Sequence, residues 1–350
     1  MTTISISGRP IGPDHAPYVI AEMSGNHNGD IDRAFALIDA AKESGADAVK
    51  LQTYTADTIT IDHHGPGFDI EGGLWAGRSL YELYQEAGTP WEWHAALFEH
   101  AAKRGITVFS SPFDPTAVAF LEELGAPAYK IASFELVDLP LIELCARTGK
   151  PLIMSTGMAS EQEIAEAVDT ARQAGNEQIV LLHCVSGYPT AIADSNLRRI
   201  PRLADRFGTI IGLSDHTPGT VVPTAATALG ARVIEKHFTL RRADGGPDAA
   251  FSLEPEELRQ LVEGTRAGWE ALGDGVERVE ASEAGSVQFR RSLYVVADIP
   301  AGGVFTPDNI RSIRPGFGLA PKEIRQILGK RARHAVSRGT PLGWDMVEPG

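Results

Sequence analysis

Cysteine is scarce in this 350-residue chain: Cys145 and Cys184 are the two present, and no CxxC spacing occurs. That argues against a disulfide framework or a thiolate zinc site and points to a reduced, cytoplasmic setting. No apolar run is long enough to span a bilayer. The opening "MTTISISGRP" lacks the apolar core of a secretory signal. A GxGxxG turn is also missing, which removes the usual mark of a dinucleotide-binding open sheet. Positive charge is in deficit, 32 Lys and Arg against 46 Asp and Glu, for a net charge of −14. A balance of that sign argues against nucleic acid or an anionic membrane as partner, though a pocket can still be locally basic.

What the chain does contain is one unit repeated eight times between residues 18 and 272. The apolar runs are "YVIAE" (18–22), "DAVKLQ" (47–52), "ITVFSS" (106–111), "AYKIAS" (128–133), "PLIMST" (151–156), "IVLLHC" (179–184), "TIIGLS" (209–214) and "RVIEKH" (232–237). They are of strand length and rich in β-branched residues. Between them lie amphipathic stretches. In "RAFALIDAAKES" (33–44), Ala34, Leu37, Ile38 and Ala41 fall at helical spacing, and "PEELRQLVEGTRAGWEAL" (255–272) is a second such stretch. Parallel strands need crossover helices, so eight units predict an α/β fold of the (β/α)8 TIM-barrel type over residues 1–273. The stretch 53–93 breaks the rhythm and, as an insertion at the C-terminal end of a barrel strand, is expected to shape the substrate site. Residues 274–289 are polar and acidic and predict a linker. Residues 290–350 predict a small β-rich module with a helical stretch near 321–328, too small to build much core of its own.

The C-terminal ends of barrel strands converge on one mouth. In chain order these ends carry Glu22, Lys50, Gln52, Ser110, Ser111, Lys130, Ser133, Glu135, Ser155, Thr156, His183, Ser186, Ser214, His216, Glu235 and His237. So many polar groups on apolar strands are costly to bury unless they serve one site. The two lysines and the hydroxyls suit a phosphate and a carboxylate. The alternative is that Lys50 and Lys130 pair with Glu22 or Glu135. Ser214 and His216 share parity, as do Glu235 and His237, so adjacent strands bring two imidazoles within reach of one divalent ion. Two protein nitrogens leave positions open for water and substrate, as a catalytic Lewis acid requires. Two hydrogen-bonded histidines without metal are the alternative there.

The motifs "IAEMSGNHNGD", "GADAVKLQTYT", "FSSPFD", "AYKIASFE", "PLIMSTGMAS", "LLHCVSGYPT", "IGLSDHT" and "VIEKHFTL" resemble, in this order, the sialic acid synthases. The tail "DIPAGGVFTPDNIRSIRPGFG" is similar to the antifreeze-like (SAF) domain joined to those enzymes. Within the family, "GGLWAGRSLYELYQEAGTPWEWH" and "IASFELVDLPLI" look most like the branch that makes pseudaminic acid. "VSGYPT" departs from the neuraminate pattern, which usually has asparagine where Ser186 stands.

The resemblance implies condensation of phosphoenolpyruvate with open-chain 2,4-diacetamido-2,4,6-trideoxy-L-altrose and release of phosphate, with N-acetylneuraminate or legionaminic acid synthesis as alternatives. It implies that Lys50, Lys130, Ser111, Ser133, Ser155, Ser186 and Ser214 hold phosphoenolpyruvate. His216 and His237 would bind a divalent metal, manganese first, with magnesium or cobalt in its place. Glu22, Gln52, Tyr188 and Asp248 would contact the sugar, with Glu22 among the catalytic groups, and Glu135 would take the proton of the attacking water. Leu74, Trp75 or Trp91 would meet the C6 methyl. Arg314 would reach the acetamido group from the other chain of a domain-swapped homodimer. A different metal-dependent aldolase or sugar-phosphate synthase would leave "SGNHNGD", "SDHT" and "EKHF" together with the SAF-like tail unexplained, and a non-catalytic carbohydrate-binding protein would leave the intact lysines, histidines and Glu135 unexplained.

Overall fold

The chain opens with a hairpin absent from the strand count above: β1 (Ile4–Ile6) pairs antiparallel with β2 (Arg9–Ile11). At three residues each, these runs are too short to show a period. The computed structural model, which describes residues 3–349, then passes through all eight expected strands. They are β3 (Tyr18–Glu22), β4 (Ala48–Thr53), β5 (Thr107–Pro112) and β6 (Tyr129–Ile131), then β7 (Leu152–Ser155), β8 (Ile179–Cys184), β9 (Ile210–Asp215) and β10 (Val233–His237). Each pairs in parallel with its neighbours, and β10 pairs with both β9 and β3, so the sheet closes into a barrel.

Every second residue of a strand shares a face. In the barrel that face packs Tyr18, Ile20, Ala48, Phe109, Ala128, Ile153, Val180, Leu182, Ile210 and Val233 into one buried cluster with Ile4, Ile6 and Ile11. The last three come from the hairpin, which therefore plugs the bore at the end where the strands begin. Farther along, Gly212 takes an inward position where no side chain fits: a Cβ there would lie 2.2 Å from the Val233 carbonyl oxygen and 2.5 Å from Leu182 Cδ2. Outside the sheet, the helix Ile31–Glu43 starts at Asp30, whose side chain accepts from the Asp32 amide, and buries Ala34, Leu37, Ile38 and Ala41, the four positions its spacing indicated. No described helix is long and apolar enough to cross a membrane.

A second compact unit begins at Asp274. Residues 274–289 are exposed and include a 3-10 turn over Ala284–Phe289. Beyond them β11 (Ser292–Val295) pairs antiparallel with β12 (Ile310–Ile313), and a short helical stretch follows at Pro321–Ile327. The expectation that this module builds little core is corrected here. Leu293, Val295, Ile299, Phe305, Ile310, Ile327, Ala332, Val336, Leu342 and Val347 form a buried cluster of their own. Loops stitched by isolated bridges, such as Ile299 with Val336 and Ala332 with Val347, supply apolar groups that no strand pattern advertises.

The fully buried Ile6 tests the plug. Ile6→Ala is expected to lower the unfolding free energy by about 2–5 kcal/mol, read from urea denaturation. An unchanged midpoint would mean that the hairpin does not seal the bore.

Candidate active site

At the other end of the barrel the inward positions change from apolar to ionisable. Glu22, Lys50, Ser111, Lys130, Ser155, Ser214, Glu235 and His237 end the same rows whose earlier members fill the core, and all eight are buried. Lys50 lies 2.8 Å from Glu22 and 3.8 Å from Glu235, and Lys130 lies 3.4 Å from Glu235. The pairing alternative is thus met for Lys50 with Glu22, while Glu235 rather than Glu135 takes Lys130. Ser111 accepts from Lys50 at 3.2 Å, Ser214 donates to Glu235 at 3.2 Å and Gln52 donates to Glu22 at 2.9 Å.

Burial works against the charge on Lys50, but Glu22 and Glu235 outweigh it and hold its pKa above the ordinary value. At Lys130 burial prevails and lowers the pKa. Burial, with Glu235 adding to it, pushes Glu22 up to about 7 against the pull of Lys50. Glu135, on the turn Ser133–Glu135 after β6, is also pushed up to about 7, chiefly by burial. Its Oε2, the Ser155 hydroxyl and His237 Nδ1 are buried without a hydrogen-bond partner. Unpartnered buried polar atoms are uncommon in folded proteins, and these three face the mouth, where a bound ligand could supply their partners.

Ser133 and Ser186 converge with a residue not singled out above, Gly157. The Gly157 amide donates to Ser133 Oγ at 3.1 Å, and a Cβ on Gly157 would lie 2.3 Å from Ser186 Oγ. A bare backbone between two hydroxyls can be approached closely by an oxyanion. Cys184 joins them, a residue that the strand-end reading above does not include. It follows Val180 and Leu182 on the inward row, with its sulfur 3.8 Å from Ser186 Oγ. Parity along "IVLLHC" was the available signal.

The same parity removes three residues from the mouth. Ser110 turns away and meets Thr53 Oγ1 at 2.6 Å, Thr156 donates to the Leu182 carbonyl, and His183 meets the Ser195 carbonyl at 2.7 Å. They stand one position off the inward rows, which proximity to a strand end had masked.

His216 and His237 do come together, with ring centroids 5.4 Å apart. His216 Nδ1 is held by the Val185 carbonyl at 3.0 Å; burial works against a charge on the ring, but the hydrogen-bonded Cys184 outweighs it and raises the His216 pKa. Burial, then His216 and the lysines, keep the His237 pKa well below its ordinary value and its ring neutral, the form that ligates. The two rings are close enough to share a divalent ion, which would take the place of the proton that Cys184 favours on His216. Among the described residues no third His, Cys, Asp or Glu completes a metal-ligating cluster with them, so such an ion would keep several open positions.

Tyr188 packs on His216 at 4.4 Å, on Phe251 at 5.4 Å and on Trp75 of the insertion at 5.6 Å. Trp75 is therefore at the mouth. Trp91 is instead stacked on Phe120 and donates to the Tyr54 carbonyl, and Leu74 is exposed. Asp248 is buried and accepts from Ser24, and its Oδ2 lies 3.9 Å from His237 Nδ1. Arg314 is exposed, in the second unit just past β12.

The NeuB family matches residues 37–277, and the SAF domain matches residues 290–348. The pseudaminic acid synthase of Helicobacter pylori is 46% identical over 333 residues, covering 95% of this chain and 98% of its own. The N,N'-diacetyllegionaminic acid synthase of Legionella pneumophila is 39% identical over 345 residues, covering 97% of each. Among solved structures, an N-acetylneuraminic acid synthetase from Leptospira borgpetersenii superposes with a TM-score of 0.74 at 34% identity, over 83% of this chain and 96% of that one.

The raised carboxyl of Glu135 has a consequence for stability. Its folded pKa of about 7 exceeds the ordinary 4.5, so its contribution is fully present below pH 4.5 and is lost as pH rises through about 7. Between those limits the wild type is expected to lose unfolding free energy relative to Glu135→Gln. A difference between the two that stays constant with pH in denaturant titrations would show that Glu135 is not held protonated.

Proposed function

The chain belongs to the NeuB family and is an enzyme of the sialic-type (nonulosonic) acid synthase class, and on that premise we propose that it makes pseudaminic acid. The reaction joins phosphoenolpyruvate to the open-chain aldehyde of 2,4-diacetamido-2,4,6-trideoxy-L-altrose and releases phosphate. One observation carries the reading: ammonium groups, hydroxyls and a raised carboxyl share one barrel mouth with two imidazoles, and several of their polar atoms lack partners. The identity to pseudaminic acid synthases, 44–46% against 38–39% for legionaminic acid synthases, supports the choice of sugar.

Phosphoenolpyruvate carries a phosphate and a carboxylate, and the mouth offers donors for both. Lys50, Lys130 and Ser111 lie along one side of it, and Ser133, Ser155, Ser186 and Ser214 add hydroxyls. Anion binding would draw the lysines away from Glu22 and Glu235, which raises the value of a carboxyl already near neutrality. His216 and His237 would hold the divalent ion, manganese or, in its place, magnesium or cobalt. The chemistry such an ion supplies is polarisation of a carbonyl.

Once the enol carbon has bonded to the aldehyde carbon, the former enol centre is an oxocarbenium that water must reach. Glu135, with a pKa near 7, is suited to accept that water's proton. The tetrahedral centre then expels phosphate by C–O cleavage. Gln52, Glu22, Tyr188 and Asp248 would take the polar groups of the sugar, while Trp75 would meet its C6 methyl. The cytoplasmic setting and the homodimer remain part of this proposal.

Phosphate release with phosphoenolpyruvate and a panel of amino-sugars, with product mass spectrometry, tests it. The 6-deoxy diacetamido sugar is expected to exceed N-acetylmannosamine in kcat/KM, because the extra hydroxyl and missing acetamide leave polar groups unmatched. Comparable values would move the assignment to neuraminate. Glu135→Gln is expected to lower kcat by roughly 10²–10⁴-fold. His216→Ala or His237→Ala should lose both turnover and bound manganese in equilibrium dialysis, and retention of stoichiometric metal by either would remove that residue from the ligand set.

Arg314 is exposed, and no hydrogen bond or ion pair engages it among the described residues. If it serves the neighbouring chain's site, Arg314→Ala and His237→Ala homodimers should both be weak. Co-expressed at equal levels, they should recover roughly a quarter of wild-type activity, since about half the dimers are mixed and each mixed dimer has one complete site. Verified mixed dimers without recovery would place Arg314 outside the site.

A further inference from the structure

Ser24, directly beyond β3, occupies a backbone conformation that suits another residue better. Its φ is +46°, in the left-handed region that glycine enters freely and serine only at an energetic cost. Its side chain is buried, 3% exposed, and its hydroxyl donates to Asp248 Oδ2. Among the described residues no other side chain donates to that carboxylate. His237 Nδ1, at 3.9 Å, is beyond hydrogen-bond reach.

The surrounding backbone is fixed without help from Ser24. Gly25 lies against the loop that carries Asp248, since a Cβ there would meet Pro247 Cγ at 2.6 Å. Asn26 Nδ2 donates to Ser252 Oγ and to the Phe238 carbonyl, each at 2.9 Å, and Ser252 Oγ donates to the Asp248 carbonyl at 2.7 Å. These bonds hold the main chain of Asp248, while its carboxylate is held by the Ser24 hydroxyl first and by the Gly25 amide second. Ser24 is the side chain that aims it.

We propose that Ser24 is a positioning residue for the sugar end of the mouth, retained in a strained turn because its hydroxyl aims the Asp248 carboxylate. Held by Ser24, Oδ2 lies 3.9 Å from His237 Nδ1, so the carboxylate keeps lone pairs without a side-chain donor beside that imidazole. There they accept a hydroxyl or acetamido N–H donor from the amino-sugar aldehyde. This inference rests on the reading of Asp248 as a sugar contact. It predicts that relieving the strain harms the enzyme's grip on the sugar, the opposite of what a structural role for Ser24 predicts.

Ser24→Gly removes both strain and hydroxyl, and Ser24→Ala removes the hydroxyl alone. For Ser24→Gly the melting temperature is expected to equal or exceed that of the wild type. Both variants should raise the KM for the sugar roughly tenfold and leave the KM for phosphoenolpyruvate unchanged. In crystals of Ser24→Gly without substrate, the Asp248 carboxylate should occupy more than one rotamer. Wild-type KM for the sugar in Ser24→Gly overturns the proposal, as does a single unmoved Asp248 rotamer. If the wild type accepts no amino-sugar at all, the functional reading has failed instead, and the Asp248 rotamer still decides this inference.

Discussion

Glu235 holds two ammonium groups at the top of a closed barrel, and most of the site depends on that pairing. It lies within 3.8 Å of Lys50 and 3.4 Å of Lys130, while Lys50 also reaches Glu22 at 2.8 Å. Those four side chains come from β10, β4, β6 and β3, so the network crosses the bore. Losing one member would strand a buried charge, which typically costs 3–5 kcal/mol. The pairing also sets the charge of the mouth. The lysines hold Glu235 below the ordinary carboxylate pKa despite its burial, while Glu22 and Glu135 are pushed up to about 7. Near neutral pH the mouth is therefore less negative than its acidic residues suggest, which helps an acidic protein bind an anion.

The mouth gives up stability at several of its polar groups. Glu135 Oε2, Ser155 Oγ and His237 Nδ1 are buried without partners, and Ser24 takes a glycine-like conformation. Such faults cluster at functional sites because the surrounding structure can hold them in place. Here the support is the apolar barrel below, closed by the N-terminal hairpin and by the close approach of Gly212 to β10. The barrel walls absorb the strain, and the open end uses it.

The chain's own pattern carried the architecture a long way. Eight β-branched runs separated by helical spacing gave the barrel, and each run became a strand within one or two residues of its expected limits. Ser214, His216, Glu235 and His237 could be placed on one side of two adjacent strands because a strand has a period of two. Lys50, Lys130, Ser111 and Ser155 follow by the same rule. Ser110, Thr156 and His183 lie at strand ends but stand one position off the inward rows, so parity rather than nearness to a strand end decides which groups reach the mouth, and Cys184 reaches it by that rule.

The remainder was decided by tertiary structure. Three-residue strands have no readable period, so the plugging hairpin was invisible, as was the second unit's core, assembled largely from loops. Which carboxylate answers which lysine was undecided in the sequence, because barrel closure sets β10 beside β3 and thereby brings Glu235 between Lys50 and Lys130. The bond between Ser24 and Asp248 joins residues 224 positions apart. The sequence determined the repeat, the inward rows and the chemical types at their ends, because alternation is a local property of a strand. Partners, pKa shifts and strain arise from contacts between distant segments, so they exist only once the barrel has closed.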